Sequence, residues 1–536
     1  IFICTLEPSE VSREPDIQNE SYVFSDGIGK ISRELTELVN ATANCDSSAF
    51  QIRMGGAKGV VALDPRLSGR QVVLRDSMVK FESGNLELDL LNHSEFRSGY
   101  LNRQIIMLLS SLGIPDSSFE ELLMEMLIEI ENNFYYYISS LRQDIKNNLA
   151  LLSLNQITYE FNEPVIIRLK NLLKELSLLE LKKKHKILVK KSGVLIGVLD
   201  EYQLLEYGEV FVQVERTGVL EGPVVVVKNP CLHPGDVRVL QAKNIPELQH
   251  HKDVVVFPSK GKRPHPNECS GSDLDGDLYF ITWDTRLIPA KTCEPMKYDE
   301  EKPIYKDPPL GIKDLIDFFW QFVTNDKLGQ IDNAHLAVAD QSEEYAFDEK
   351  CIELCKKHAI AVDFPKNGIV VDLPKHLKPK GYPDFMEKDN EESYLSQKIL
   401  GKIHRKIIDS LPDPLPQMNP KRLVAGFEDH LETANYLFGE YSKDIKLALN
   451  QYEISSEVEF LTAQVLKLSR FYNKKRRELE TKQTLTYIAN QLIEKHTKRF
   501  QEAGGTPQLA SACYFVSHEQ GFSAYAWMIG LSLLLD

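Results

Sequence analysis

Cysteine is scarce in this chain and never bunched: eight stand among 536 residues, and only Cys351 and Cys355 lie close together. One C-x3-C pair without a second is weak evidence for zinc, and scattered thiols argue against a disulfide-built secreted scaffold. Reduced thiols in an intracellular compartment are the expectation, with nucleus and cytoplasm equally open. Long apolar runs are missing as well. The longest near the end, residues 524–535, is shorter than the roughly 20 residues that cross a bilayer, so core packing and no membrane partner are expected. No signal peptide is read at the start. There is no internal repeat and no low-complexity linker, and a 43% hydrophobic, 26% charged composition is that of a folded globular protein. Basic charge is in deficit, 63 Lys and Arg against 78 Asp and Glu for a net −15. That argues against broad electrostatic attraction to nucleic acid while leaving a local basic groove open.

The length gives room for about three or four domains. The opening residues, IFICTLEPSE, carry no initiating methionine, as expected of a piece of a longer protein. Acid is what the chain has in quantity, and its densest functional pattern is HPNECSGSDLDGDLYFITWD, residues 265–284. Asp273, Asp275 and Asp277 recur at every second position around Gly276. In an extended segment such residues share one face, about 7 Å apart, and the glycine lets the backbone curl and draw them together. Clustered carboxylates repel unless a cation sits among them, and a hard, oxygen-seeking ion shared with phosphates, Mg²⁺, is the natural occupant. The apolar run from Leu278 to Trp283 reads as a buried strand that anchors the loop. Two blander readings compete. A calcium EF-hand would need its glycine two positions later, a Glu where Asp284 stands, and a leading helix; a plain polar turn between strands needs nothing more than is here.

Residues 20–110 read as a compact β domain with glycines at 27, 29, 55, 56 and 59. In FQIRMGGAKGVVAL (50–63), Gly55 and Gly56 permit a tight bend and Lys58 follows before a buried strand. Lys80 stands at a similar strand end in LRDSMVKFES, after which residues 81–101 look irregular and 101–112 read as an amphipathic helix. From 117 to 186 the period is helical, opened by a capping box of Ser118 and Glu121, and no chemistry is assigned there. Strands return at 191–283. The stretch 194–214 suggests a hairpin turning at Asp200 and Glu201. The apolar strand 224–227 then delivers Lys228, Asn229 and His233 to a Pro-marked turn, and the strand at 253–257 delivers Lys260, Lys262 and Arg263. Of the basic runs, KKKHKILVKK (182–191) and KKRR (474–477) read as solvated faces, and KGKR (260–263), near the aspartates, as a phosphate-binding loop. After Pro308 the pattern is mostly helical, broken at 361–374 and 377–386.

SGSDLDGDLYFITWD, KNPCLHPGDVRVL, FSDGIGKIS and FQIRMGGAKGV, a long and ordered set of matches, together resemble the catalytic core of eukaryotic cellular RNA-dependent RNA polymerases, the enzymes of RNA silencing. The likeness runs from about residue 20 into the C-terminal helices. It implies an α+β fold of two double-psi β-barrels joined by a helical connector and followed by a mainly helical head. The corresponding regions are 1–115, 116–190, 191–305 with the aspartate loop, and 306–536. It further implies Asp273, Asp275 and Asp277 as catalytic metal ligands and Lys58 and Lys80 as catalytic lysines of the first barrel. Lys228, Arg263, Lys262 and His233 are implied as nucleotide or RNA contacts. Lys228 takes the place of an arginine in the related DNA-dependent enzymes, keeping the charge but not the planar fork. Ala57, in place of a frequent aromatic, and Asp76, in place of proline, depart from the pattern.

The implied reaction is template-directed nucleotidyl transfer from ribonucleoside triphosphates to an RNA 3′-hydroxyl with Mg²⁺, or Mn²⁺ in its place, making complementary RNA. The implied partners are a single-stranded RNA template and the triphosphates, with a Dicer-type nuclease, a helicase and Argonaute pathway proteins beside them. The rivals are a catalytically silent RNA-binding scaffold of the same fold and a calcium-binding module.

Overall fold

The computed structural model describes residues 1–132, 164–215, 217–298, 309–324, 327–388, 391–410, 418–463, 475–530 and 533. The chain divides into two compact units, Ile1–Met124 with Lys184–Arg405, and Glu125–Lys183 with Lys406–Asp536. The region expected as one helical stretch, 306–536, is therefore shared between both units.

The first unit opens with seven strands, β1 (Phe2–Thr5), β2 (Val11–Glu14), β3 (Ile28–Ile31), β4 (Ala49–Met54), β5 (Ala57–Leu63), β6 (Val72–Arg75) and β7 (Glu87–His93), ordered β1-β7-β4-β5-β3-β6-β2. The β4–β5 hairpin turns at the two expected glycines, with Met54 opposite Ala57 and Arg53 opposite Lys58. No side chain fits at Gly56, where an added Cβ would meet the Phe81 carbonyl oxygen at 1.6 Å. Period-2 alternation gives these strands two interiors. Phe50, Ile52, Met54, Ala57 and Val61 pack into the sheet's own core with Leu35 and Val39 of the helix Arg33–Ala43. Ala49, Val60 and Ala62 face the other way, into the core of the second sheet.

That second sheet comprises β8 (Arg97–Tyr100), β9 (Leu188–Leu199), β10 (Glu209–Val214), β11 (Gly218–Val219), β12 (Gly222–Lys228), β13 (Arg238–Ala242), β14 (Val254–Phe257) and β15 (Leu278–Thr282). The order β10-β13-β12-β15-β9-β14 closes on itself through β14 and β10 into a six-stranded barrel, with β8 added to β9. Its parallel pairs, β10 with β13 and β9 with β14, require crossovers, and they overturn the expected hairpin at 194–214. β14 lies between β9 and β10. The Asp200 carboxylate accepts the N–H groups of Tyr202, Leu204 and Leu205, which turns the chain into a wide loop, and the buried run Val254–Phe257 takes the gap. Residues 81–101 are also corrected, since β7 and β8 fall there. Their alternation is masked by a bulge at β7 and by β8 leaving the first sheet for the second.

Helix Asp116–Asn132 begins two residues before the expected capping box, so Ser118 is inside it and its N–H bonds to Pro115 O. Helix Glu349–Val362 carries Cys351 and Cys355, and all eight cysteines are free. In helix Ile312–Thr324, Phe318 and Phe322 stack on Phe364, while Ile312, Leu315, Ile316, Phe319, Trp320 and Val323 stay exposed. Of the expected breaks, 361–374 holds no strand, and in 377–386 Tyr382–Pro383 pairs with Ser393–Tyr394. Among the described residues no helix is long and apolar enough to cross a membrane.

The second unit is helical. Leu431–Tyr452, Lys475–Glu502, Pro507–Glu519 and Tyr525–Ile529 share a core with Val165, Ile166 and Leu169 of helix Pro164–Lys184. The terminal apolar tract is buried as expected where it is described, through Trp527 and Met528. The stretches 133–163 and 464–474, both expected to be helical, lie outside the described residues.

Candidate active site

The aspartate loop hangs between the short helix His265–Glu268 and β15. Ser272 Oγ donates to Pro266 O at 2.6 Å and Tyr279 OH to Asp273 O at 2.8 Å. Within the loop, Asp273 N–H donates to Asp277 Oδ2 at 3.2 Å and Asp275 N–H to Asp273 Oδ1 at 3.0 Å. The segment is therefore a tight turn rather than the extended one expected, because short carboxylate side chains take the loop's own N–H groups. Gly276, at φ +129°, supplies the curl.

The first sheet grips this loop from the opposite side. Leu274 N–H donates to Asp26 O at 2.9 Å, and Gln51 Nε2 donates to Asp275 O at 3.1 Å. Gly27 approaches so closely that an added Cβ would lie 2.4 Å from Asp275 Cβ. Its own turn is held in place by Asp16, which accepts from Ser25 and Ser77, while Ser77 Oγ accepts Gly27 N–H. Lys58 Nζ then meets Asp275 Oδ2 at 2.6 Å, and Lys228, at the end of β12, meets Asp277 Oδ2 at 3.5 Å. A further tie fixes the register of the two sheets. Buried Arg75 forms a bidentate pair with Glu201 at 2.9 and 2.8 Å and donates to Ile28 O, one residue beyond Gly27.

Burial, and then the neighbouring charges of Asp275 and Asp277, raise the Asp273 carboxyl to about 7, with Asp26 adding a smaller push. Two ammonium groups thus stand against more carboxylates than they can balance. Among the described residues no three acid, His or Cys side chains stand together as a ready metal cage; Asp275 and Asp277 are turned toward their lysines. The geometry gives a cluster of acids flanked by lysines from both sheets, an arrangement suited to neutralising and orienting a polyphosphate.

Residues 2–407 match the family model described as RNA dependent RNA polymerase, and residues 418–534 match the one described as RdRP, head domain. This chain belongs to the RNA-dependent RNA polymerase family. It is 39% identical over 544 residues to RNA-dependent RNA polymerase 1 of Arabidopsis thaliana, covering 96% of this chain and 49% of that protein. It is 32% identical over 557 residues to RNA-dependent RNA polymerase 1 of Schizosaccharomyces pombe, covering 92% and 45%. The chain spans about half the length of these curated relatives. The solved structure of RNA dependent RNA polymerase QDE-1 from Thielavia terrestris matches with a TM-score of 0.72 at 17% identity, over 99% of this chain and 68% of that one. That likeness is one of fold: the chain has the expected α+β architecture of double-psi β-barrels followed by a mainly helical head.

In this member of the polymerase family the other expected contact residues are engaged with partners other than the aspartates. Lys80 is exposed and its ammonium donates to Ser77 O at 2.7 Å. Arg263 is buried, bonded to Asn267 and to Met296 O. Its Nε and Nη2 thus tie Asn267 and Met296 to it, and it is buried. Lys262 is exposed near Glu294, over the Tyr207 ring. His233 is held below its usual range by burial, and its Nδ1 accepts Gly235 N–H as the cap of the turn Pro234–Asp236. Asp284, the would-be twelfth calcium ligand, is occupied by Arg286. Asp26 and Gln51 were missed, although Asp26 stands inside FSDGIGKIS and Gln51 shares a strand face with the residues opposite Lys58.

Proposed function

We propose that this chain carries out template-directed nucleotidyl transfer, joining ribonucleoside triphosphates to an RNA 3′-hydroxyl on a single-stranded RNA template. The observation that carries this reading is the 2.6 Å approach of Lys58, from one barrel, to Asp275, from the aspartate loop of the other. A site made by two barrels in this way places positive charge beside a carboxylate cluster, which suits a reaction whose transition state spreads charge over phosphoryl oxygens.

The donor set fits Mg²⁺ or Mn²⁺: it is all carboxylate oxygen, and burial, followed by the charges of Asp275 and Asp277, raises the Asp273 carboxyl to about 7, a cost that a bound cation would offset. Asp273, Asp275 and Asp277 would hold the ion. When bound, such an ion lowers the pKa of an attacking hydroxyl and offsets charge on the leaving pyrophosphate. Lys58 and Lys228 are placed to pass from their aspartates to phosphate oxygens once the carboxylates take other partners. Gly27 and Gly276 leave room for the side chains of Asp275 and Gln51, which lie against them.

The test uses labelled ribonucleotides and a single-stranded RNA template. Incorporation into product resistant to single-strand nuclease, dependent on Mg²⁺ and stopped by a chelator, is the expected result. RNA binding without incorporation under any divalent ion would favour the silent scaffold instead, and Ca²⁺ binding indifferent to nucleotide would favour the calcium module.

A further inference from the structure

We propose that Gln51 is a positioning residue for the aspartate loop, holding the backbone of Asp275 while Lys58 faces its carboxylate; this rests on the nucleotidyl-transfer reading above. Gln51 and Lys58 lie on neighbouring antiparallel strands, with Gln51 opposite Val60 and Arg53 opposite Lys58. Period-2 alternation puts Gln51, Lys58 and Val60 on the face turned to the second barrel. From that face the Gln51 amide donates to Asp275 O at 3.1 Å, and the Lys58 ammonium reaches Asp275 Oδ2 at 2.6 Å. One residue of the loop is thus gripped at both its main chain and its side chain.

Two further observations show that the fold is shaped to this contact. The side chain of Gln51 lies flat against Gly276, where an added Cβ would be 2.1 Å from Nε2 and 2.6 Å from Cδ. The glycine is therefore needed for room as well as for its φ of +129°. Beside Gln51 the pairing of β4 with β7 steps from Gln51–Asn92 to Ile52–Leu90, leaving Leu91 unpaired. Bulges of this kind bend strands and re-aim side chains next to active sites. The chemistry also selects the amide. A lysine contact is exchangeable for substrate phosphate, whereas a neutral amide on a backbone carbonyl persists when the local charges change. Glutamate of the same reach would turn an acceptor toward that carbonyl and add a negative charge to the cluster.

The experiment compares the wild-type chain with Gln51→Glu, Gln51→Ala and Gln51→Met by two readouts. The first is kcat and KM for labelled ribonucleotide on a single-stranded RNA template. The second is Mn²⁺ binding by electron paramagnetic resonance without nucleotide. Since a displacement of about 1 Å at a reacting centre costs about 100-fold, kcat should fall roughly 10- to 100-fold. KM should change less, Mn²⁺ binding should weaken, and the melting temperature of Gln51→Met, which keeps the packing, should stay at the wild-type value. Wild-type kcat and Mn²⁺ affinity in Gln51→Met and Gln51→Glu would overturn the assignment. So would losses that track only a drop in melting temperature. If the wild-type chain incorporates nothing, the functional reading fails by itself, and the Mn²⁺ comparison alone decides the role of Gln51.

Discussion

Replacing Arg75 by alanine should cost the barrel unit about 3–5 kcal/mol, the usual penalty for stranding one member of a buried ion pair. The guanidinium is 2% exposed and the Glu201 side chain 10% exposed, and their two hydrogen bonds are 2.9 and 2.8 Å long. The substitution leaves the Glu201 carboxylate almost dry and unpaired. It also frees Ile28 O, which the same guanidinium satisfies, adding roughly 1 kcal/mol. The paired replacement Arg75→Met with Glu201→Leu removes both charges and should recover most of the loss. A double-mutant cycle from chemical denaturation, with alanine at each position, measures the coupling, expected at about 2 kcal/mol or more. Thermal midpoints should show the single variants lowered by roughly 5–10 °C. Additive single effects, or a loss under about 1 kcal/mol for Arg75→Ala, would refute the view that this pair fixes the register of the two barrels.

Gly27→Ala introduces a Cβ where Asp275 Cβ already stands, at a backbone φ of +79°. It should reduce ribonucleotide incorporation by roughly 100-fold, checked by primed extension beside a circular dichroism spectrum that stays unchanged. Lys58→Ala should lower kcat for incorporation more than Lys58→Arg, with RNA affinity in a filter-binding titration little altered. In the helical unit, buried Glu457 accepts Tyr441 OH and the N–H groups of Ser523 and Ala524. Glu457→Ala should therefore destabilise by roughly 2–4 kcal/mol and Glu457→Gln by much less, read from urea midpoints. With divalent ions chelated, Asp273 favours the neutral form up to about pH 7, mainly through burial. An acid whose folded pKa is raised gives up its stabilising contribution as pH climbs from the unfolded value of 3.8 to about 7. The melting temperature of the chelated chain should fall across that window less in Asp273→Asn than in the wild type, and Mg²⁺ should restore the wild-type value at the upper end.

Local signals carried much of the site into view. The spacing of Asp273, Asp275 and Asp277, and the two glycines before Lys58, need only a turn and a strand to have their effect. Both kinds of element are present, in the aspartate loop and the β4–β5 hairpin. What escaped notice depends on partners far apart in sequence. Gln51 and Asp275 are separated by 224 positions and Arg75 and Glu201 by 126, so neither pair leaves a local trace. The hairpin expected at 194–214 failed because a crossed barrel inserts β14 between strands that follow each other in the chain. β7 was passed over because its bulge leaves exposed Leu91 out of the alternating pattern. Arg263 and His233 sit in basic, Pro-marked loops that looked ready for phosphate. Once folded, Arg263 Nε and Nη2 and His233 Nδ1 bond to nearby groups of their own turns and to Met296 O, and the sequence alone cannot distinguish a cation serving a turn from one serving a ligand.

The most direct measurement is single-nucleotide incorporation by wild type and Asp275→Ala on the same single-stranded RNA, with RNA affinity measured in parallel. A two-barrel site joined at Lys58 and Asp275 predicts that the variant holds RNA about as tightly as the wild type and adds no nucleotide. Equal incorporation by both chains would contradict it.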